Sequence, residues 1–169
     1  AFTLSGAAEA FYQWNFNAPS NGITAWRGFA NRHATFSISN VMLDVQWDYE
    51  GVVGRVALQV GTTPSSYYLA EPGRSGAAGV NATSSELWKY VQQGFAGYRF
   101  PLLRGLLVQA GIFLSPIGPE GIAVRDNWNY SRSTLFFALP YYHTGARAAL
   151  QLTGRWAVTA AAYNGWNSV

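Results

Sequence analysis

"FTLSGAAEAFYQWNFN", residues 2–17, alternates along nearly its whole length. The even positions hold Phe2, Leu4, Gly6, Ala8, Ala10, Tyr12, Trp14 and Phe16. The odd positions hold Thr3, Ser5, Ala7, Glu9, Phe11, Gln13, Asn15 and Asn17. A period of two gives a strand one dry face and one wet face. The stretch is longer than the roughly 5–6 residues usual for a strand in a soluble domain. It reaches the roughly 9–11 residues that a tilted strand needs to cross a bilayer.

Six further segments read as strands. The second, about Thr35 to Tyr49, places Val41, Leu43, Val45, Trp47 and Tyr49 opposite Asn40, Asp44, Gln46 and Asp48. Phe36 and Ile38 are out of phase with that set, so a bulge is expected near Ser39–Asn40. The third, about Val53 to Gly61, sets Val56, Leu58 and Val60 against Arg55 and Gln59. The fourth, about Tyr90 to Phe100, alternates poorly. Gln93 and Arg99 share one of its faces, and Ala96, Tyr98 and Phe100 the other. The fifth, about Leu106 to Leu114, sets Val108, Ala110, Ile112 and Leu114 against Gln109 and Gly111. The sixth, about Tyr142 to Leu152, sets Ala146, Ala148, Leu150 and Leu152 against His143, Arg147 and Gln151. The seventh, about Arg155 to Trp166, is Ala-rich with aromatic ends.

The connections alternate long and short. The stretches 18–34, 62–89 (with GRSGAAG inside) and 113–145 are long, whereas those around Glu50–Gly51, Pro101–Gly105 and Thr153–Gly154 are brief. That is the pattern of an outer-membrane barrel, with short periplasmic turns and extended outer loops. Aromatics gather at proposed strand ends: Tyr12, Trp14 and Phe16; Trp47 and Tyr49; Tyr98 and Phe100; Tyr163 and Trp166. This suits interfacial girdles, although strand propensity alone also favours aromatics. The expected fold is all-β: an antiparallel transmembrane β-barrel with about 7–8 strands in this chain, within one domain over 1–169. An odd number of antiparallel strands does not close edge to edge. The chain is therefore expected to be the first portion of a larger barrel, or to pair with a second chain or a missing carboxy-terminal segment.

Composition agrees. Charged residues make up 11% of the chain and aromatics 16%, too little charge to disperse an ordinary soluble domain. Mean hydropathy is nonetheless near zero, and no apolar run approaches the roughly 18 residues of a spanning helix. Cysteine is absent, which excludes disulfides and thiolate metal sites. The net charge of +3 is carried by arginines spread along the chain, with Lys89 the one lysine, so no basic cluster points to nucleic acid.

The stretches WNFNAPSNGI (14–23), RHATFSISN (32–40), YVQQGFAGYR (90–99), FLSPIGPEGI (113–122), RDNWNYSRS (125–133), PYYHTGAR (140–147) and NGWN (164–167) resemble the OmpL-like β-barrel outer-membrane porin family. The resemblance covers nearly the whole chain and is most specific over NWNYSRS (127–133) followed by PYYHTG (140–145). Members of that family are longer, so the chain resembles their amino-terminal portion. The resemblance implies a bacterial outer-membrane barrel acting as a passive channel for small hydrophilic solutes or ions. It implies no catalytic residues and no defined substrate.

In a barrel the polar face lines the lumen, which makes Glu9, Asp44, Asp48, Arg55, Arg99, His143 and Arg147 the candidate pore-lining residues. In a narrow barrel the same residues would instead form an interior salt-bridge lattice. The long 113–145 segment carries Arg125, Asp126 and Arg132 among Ile122, Val124, Trp128, Tyr130, Leu135, Phe136 and Phe137. So much apolar surface suits a loop folded against the inner wall, with those charged residues at a constriction. An external cap or a contact between protomers is the alternative. His33 and His143 fall on different elements, and no HExxH, GxSxG or GxxxxGK[ST] run occurs; no catalytic, cofactor or metal site is expected. Two other roles fit the composition: a barrel anchoring a surface assembly or partner, and a soluble carbohydrate-binding β-sandwich.

Overall fold

The computed structural model describes residues 1–71 and 84–169. The GRSGAAG stretch at 73–79 lies outside the described residues. Seven strands form one antiparallel sheet in sequence order: β1 (Phe2–Tyr12), β2 (Phe36–Tyr49), β3 (Val52–Val60), β4 (Val91–Phe100), β5 (Leu106–Leu114), β6 (Tyr142–Gln151) and β7 (Ala157–Tyr163). Each strand pairs with its sequence neighbours, and β1 and β7 are the two edges of an open sheet. This is the all-β antiparallel architecture of a partial barrel. A sandwich would need a second sheet over the apolar face, and that face is uncovered. Leu43, Leu58 and Val60 are each about half exposed, at 51%, 48% and 54%, while Asp44 and Ala57 on the opposite face are fully buried.

Register shows how the alternation is kept. Glu9 pairs with Asn40 but Ala10 pairs with Ile38, so Ser39 is the extra residue of a bulge. The bulge lies where the phase break of Phe36 and Ile38 places it. Ser39 and Asn40 are both buried, and Phe36 and Ile38 rejoin the exposed apolar face. A second bulge explains the poor alternation of the fourth segment. Ala57 pairs with Gln93 and Leu58 with Val91, leaving Gln92 unpaired across the ladder, with Gln92 and Gln93 both buried. One extra residue shifts the side-chain phase by one, so a strand containing it does not read as a single period.

The β2–β3 turn is a two-residue hairpin, Glu50–Gly51. Both residues have positive φ, 50° and 84°, the twist-matched turn that glycine favours. A different use of glycine bends the sheet. Phe95, Gly111, Gly145 and Tyr163 form one transverse row across β4, β5, β6 and β7. A Cβ on Gly111 would come within 2.1 Å of the Gly94 carbonyl, and one on Gly145 within 2.1 Å of the Ala162 carbonyl. Glycine pairs of this kind let a sheet curl tightly. The polar face is the hollow side: a cavity of about 300 Å³ there is lined from β1 through β5, by Thr3, Gln46, Arg55, Phe95 and Gln109 among others.

Three long connections leave the same end of the sheet: L1 (13–35), L2 (61–90) and L3 (115–141). L1 takes over at Gln13, so β1 ends before Trp14 and Phe16 although their alternation continues. There Asn15 N–H donates to His33 Nδ1 at 2.9 Å, Ala34 N–H to the Gln13 carbonyl at 2.8 Å, and Trp14 lies against the His33 ring. The described residues of L2 include two short helices, α1 (Thr62–Tyr67) and α2 (Ser85–Trp88). The chief buried apolar cluster lies among these connections rather than between sheets. It joins Phe29 of L1, Tyr67 and Tyr68 of L2, Ile122 and Phe136 of L3, and Tyr142 at the start of β6. A fully buried side chain of this size contributes about 1.5–3 kcal/mol. The Tyr142 hydroxyl donates to Glu71 at 2.5 Å, and the Val169 N–H also reaches Glu71. Burial pushes the Tyr67 and Tyr68 hydroxyls above the ordinary tyrosine range, so both stay neutral donors or acceptors.

Gly111→Ala places a side chain at φ +138° against backbone. It is expected to lower unfolding stability in detergent micelles by about 1–3 kcal/mol. Gly154→Ala, where the new methyl meets only an ordinary contact at 3.7 Å from Arg104, is expected to change it by no more than about 0.5 kcal/mol. Urea titration of the two variants checks the contrast.

Candidate functional site

The polar face and L3 form one structure. L3 is shaped first by its own side chains. Asn127 accepts from the Gly121 N–H and donates to the Gly121 carbonyl, both at 2.8 Å, which closes a ring over 121–127. The Glu120 carboxylate accepts the Ser133 N–H at 3.1 Å. Between these ties, residues Val124–Asp126 make a single 3₁₀ turn. At the base of L3 the Ser115 N–H bonds to the Tyr141 carbonyl at 3.0 Å.

So organised, L3 docks on the polar face of β1 and β2. The Val124 N–H donates to Glu9 Oε1 at 2.8 Å, and Arg125 reaches Asp44 Oδ2 at 3.4 Å. The Tyr130 hydroxyl and Ser39 Oγ are 2.7 Å apart, and Ser39 also bonds to the Glu9 carbonyl. The bulge that puts Ser39 on the buried side therefore supplies a docking point. Arg132 donates to the Ile122 carbonyl, with its guanidinium 5.2 Å from the centre of the Phe29 ring. Burial pulls Arg132 below the ordinary arginine value, and Glu9, Tyr130 and Glu120 nearby oppose that shift. L1 is tied to the same loop through Arg27, which bonds to the Ala30 carbonyl and to Ser131.

Asp44 is the centre of the charged array. It is fully buried and accepts two bonds from Arg55, 2.9 Å from Nε and 2.7 Å from Nη2, a bidentate pair. Gln46 adds a third donor at 3.2 Å, and Arg125 a second guanidinium. Asp126 sits 3.7 Å from Arg125. Nearer the short turns, Arg99 and Asp48 are both exposed and pair at 2.9 Å. On the far side of the face Arg147 bonds to Gln109 and lies over Phe113 and Phe95. His143 is buried against Tyr163, with ring centres 4.6 Å apart, and its Nδ1 is 3.1 Å from the Gly165 carbonyl. All seven strand residues singled out in the sequence thus lie on one face. Arg125 is brought to Asp44, while Arg132 packs among the loop aromatics.

Sequence reasoning did not assign the contact of Ser39 with Tyr130, or any place in the site to Phe95 or Phe113. A bulge residue and a loop tyrosine carry no periodic signal. The two phenylalanines fall on the wet phase of their strands, where apolar residues are not expected. Among the described residues no group of His, Asp or Glu is placed to hold a metal ion. No helix among them is long and apolar enough to cross a membrane, which says nothing of a β-barrel.

A single sheet with an exposed apolar face, a charged hollow face and a loop packed into that hollow is porin-like geometry. The family model described as "Putative beta-barrel porin-2, OmpL-like" matches residues 1–169, the whole chain. The chain belongs to this family. A porin-like role follows in general terms. No curated protein and no solved structure matched the chain.

Asp44→Asn in this porin removes the charge that holds both Arg55 and Arg125. It is expected to cost about 2–3 kcal/mol, because two guanidinia lose a buried carboxylate. It is also expected to speed tryptic cleavage after Arg125 and Arg132. Time-resolved digestion of the detergent-solubilised protein checks this; unchanged cleavage would mean that Asp44 does not hold L3.

Proposed function

We propose that the polar face lines a water-filled outer-membrane channel through which small hydrophilic solutes or ions diffuse passively, with the Gly121–Ser133 segment of L3 as its constriction. The observation that carries this reading is the docking of L3 inside the hollow face, through Val124 to Glu9, Arg125 to Asp44 and Tyr130 to Ser39. A loop that served only as an external cap would have no reason to engage residues on the strand walls.

The exposed apolar face supports the membrane setting. Phe2, Leu4, Leu43, Val56, Leu58 and Val60 are all at least 40% exposed on one side of the sheet, more contiguous apolar surface than a soluble monomer tolerates. In a bilayer those side chains meet lipid, and the backbone groups behind them are satisfied by the ladder. On the hollow side Arg55, Arg99, Arg125 and Arg147 stand against Glu9, Asp44, Asp48 and Asp126. Paired charges of both signs keep a wall hydrated without a strong field of either sign. The array therefore suits a weakly selective pore.

Planar-bilayer recordings of the full-length protein test this. Stepwise conductance in KCl is expected, with a reversal potential in a salt gradient close to zero. Deleting Gly121–Ser133 is expected to raise single-channel conductance. Absence of conductance rejects the channel, and an unchanged step size in the deletion rejects the constriction.

A further inference from the structure

Arg147 differs from the other arginines on the hollow wall in its partners and in the surface beneath it. Arg55 and Arg125 reach Asp44, and Arg99 reaches Asp48. Arg147 makes no such ion pair among the described residues. Its Nε donates to Gln109 Oε1 at 2.8 Å, which fixes the stem and leaves both terminal nitrogens of the fork. Its Cζ lies 4.2 Å from the centre of the Phe113 ring and 5.3 Å from that of Phe95. Those rings stack on each other with centres 4.9 Å apart and planes inclined by 28°. Tyr163, 6.3 Å from Phe113, extends the aromatic floor. The Gly111–Gly145 pair puts no side chain of its own into the row between Phe95 and Tyr163, and the buried Phe113 ring lies between those two rings.

This is an unusual surface for a polar wall. A guanidinium held over rings is fixed in orientation and less hydrated than one in open water. Its terminal N–H groups match the two oxygens of a carboxylate. Chloride or acetate could use the charge but would gain nothing from the rings. A planar apolar acid could place its carboxylate on the fork and its body along Phe95, toward the adjoining 300 Å³ cavity that Phe95 and Gln109 also line. We infer that Arg147, on its floor of Phe113 and Phe95, is a docking site for aromatic monocarboxylates, a reading that rests on the hollow face lining the channel.

Benzoate and acetate are the probes. The full-length protein in detergent is titrated with each and followed calorimetrically, and the same preparation is tested for KCl conductance without either acid. Saturable benzoate binding is expected, with acetate at least about tenfold weaker. Arg147→Gln is expected to weaken benzoate about tenfold or more, the loss of one charge-assisted fork. Arg147→Lys covers the case in which the glutamine variant fails to fold. It keeps the charge without the fork, and an intermediate loss is expected. Equal binding of the two acids, or benzoate binding unchanged in either variant, overturns the inference. Conductance without Arg147-dependent binding removes the site and leaves the channel. Arg147-dependent binding without conductance keeps the site and removes the channel.

Discussion

A sheet one layer thick has no interior of its own. Each strand here must hand one set of side chains to a medium that takes hydrocarbon and the other to a medium that takes charge, and the rest of the molecule follows from that division. The apolar face needs no partner side chains, so residues such as Leu43 and Val60 remain uncovered. The polar face must balance its charges across its strands, and it does so with arginines. Asp44 on β2 faces Arg55 on β3, and Asp48 on β2 faces Arg99 on β4. A fork can hold a buried carboxylate by two bonds at once, which a lysine cannot do. The chain's near-exclusive use of arginine is consistent with that demand.

Since the sheet cannot supply a core, the long connections make one. Phe29, Tyr67, Tyr68, Ile122, Phe136 and Tyr142 come from three loops and a strand end and pack at one end of the sheet. The opposite end is closed by brief turns such as Glu50–Gly51 and carries no comparable cluster among the described residues. The molecule is therefore polarised along the strand axis, with its aromatic packing and its loop ties concentrated where L1, L2 and L3 meet.

Much of this was legible in the sequence, because period two is a direct statement about faces. The strand order, the two-residue turn and the bulge at Ser39 all follow from where the phase holds or breaks. The limits are physical as well. Trp14 and Phe16 keep the period beyond β1, but the hydrogen bonds of Asn15 and Gln13 take the backbone into L1, and periodicity does not report on backbone partners. The bulge at Gln92 was hidden because two consecutive glutamines obscure which of them is the extra residue. In the site, the charged residues were found because charge on a wet face stands out. Phe95 and Phe113 were missed for the opposite reason. Ser39 and Tyr130 gain their roles only through a contact between residues ninety-one positions apart.

The Ser115–Tyr141 bond at the base of L3 has a consequence for how such proteins diversify. It closes the loop at the point where β5 and β6 end, so the pairing of those strands does not depend on what the loop contains. Residues can be gained or lost between the two closing positions at little entropic cost, since each doubling of loop length adds only about 0.6 kcal/mol. Loop and frame can thus evolve separately: the contents of L3 can change without renegotiating a single ladder in the sheet.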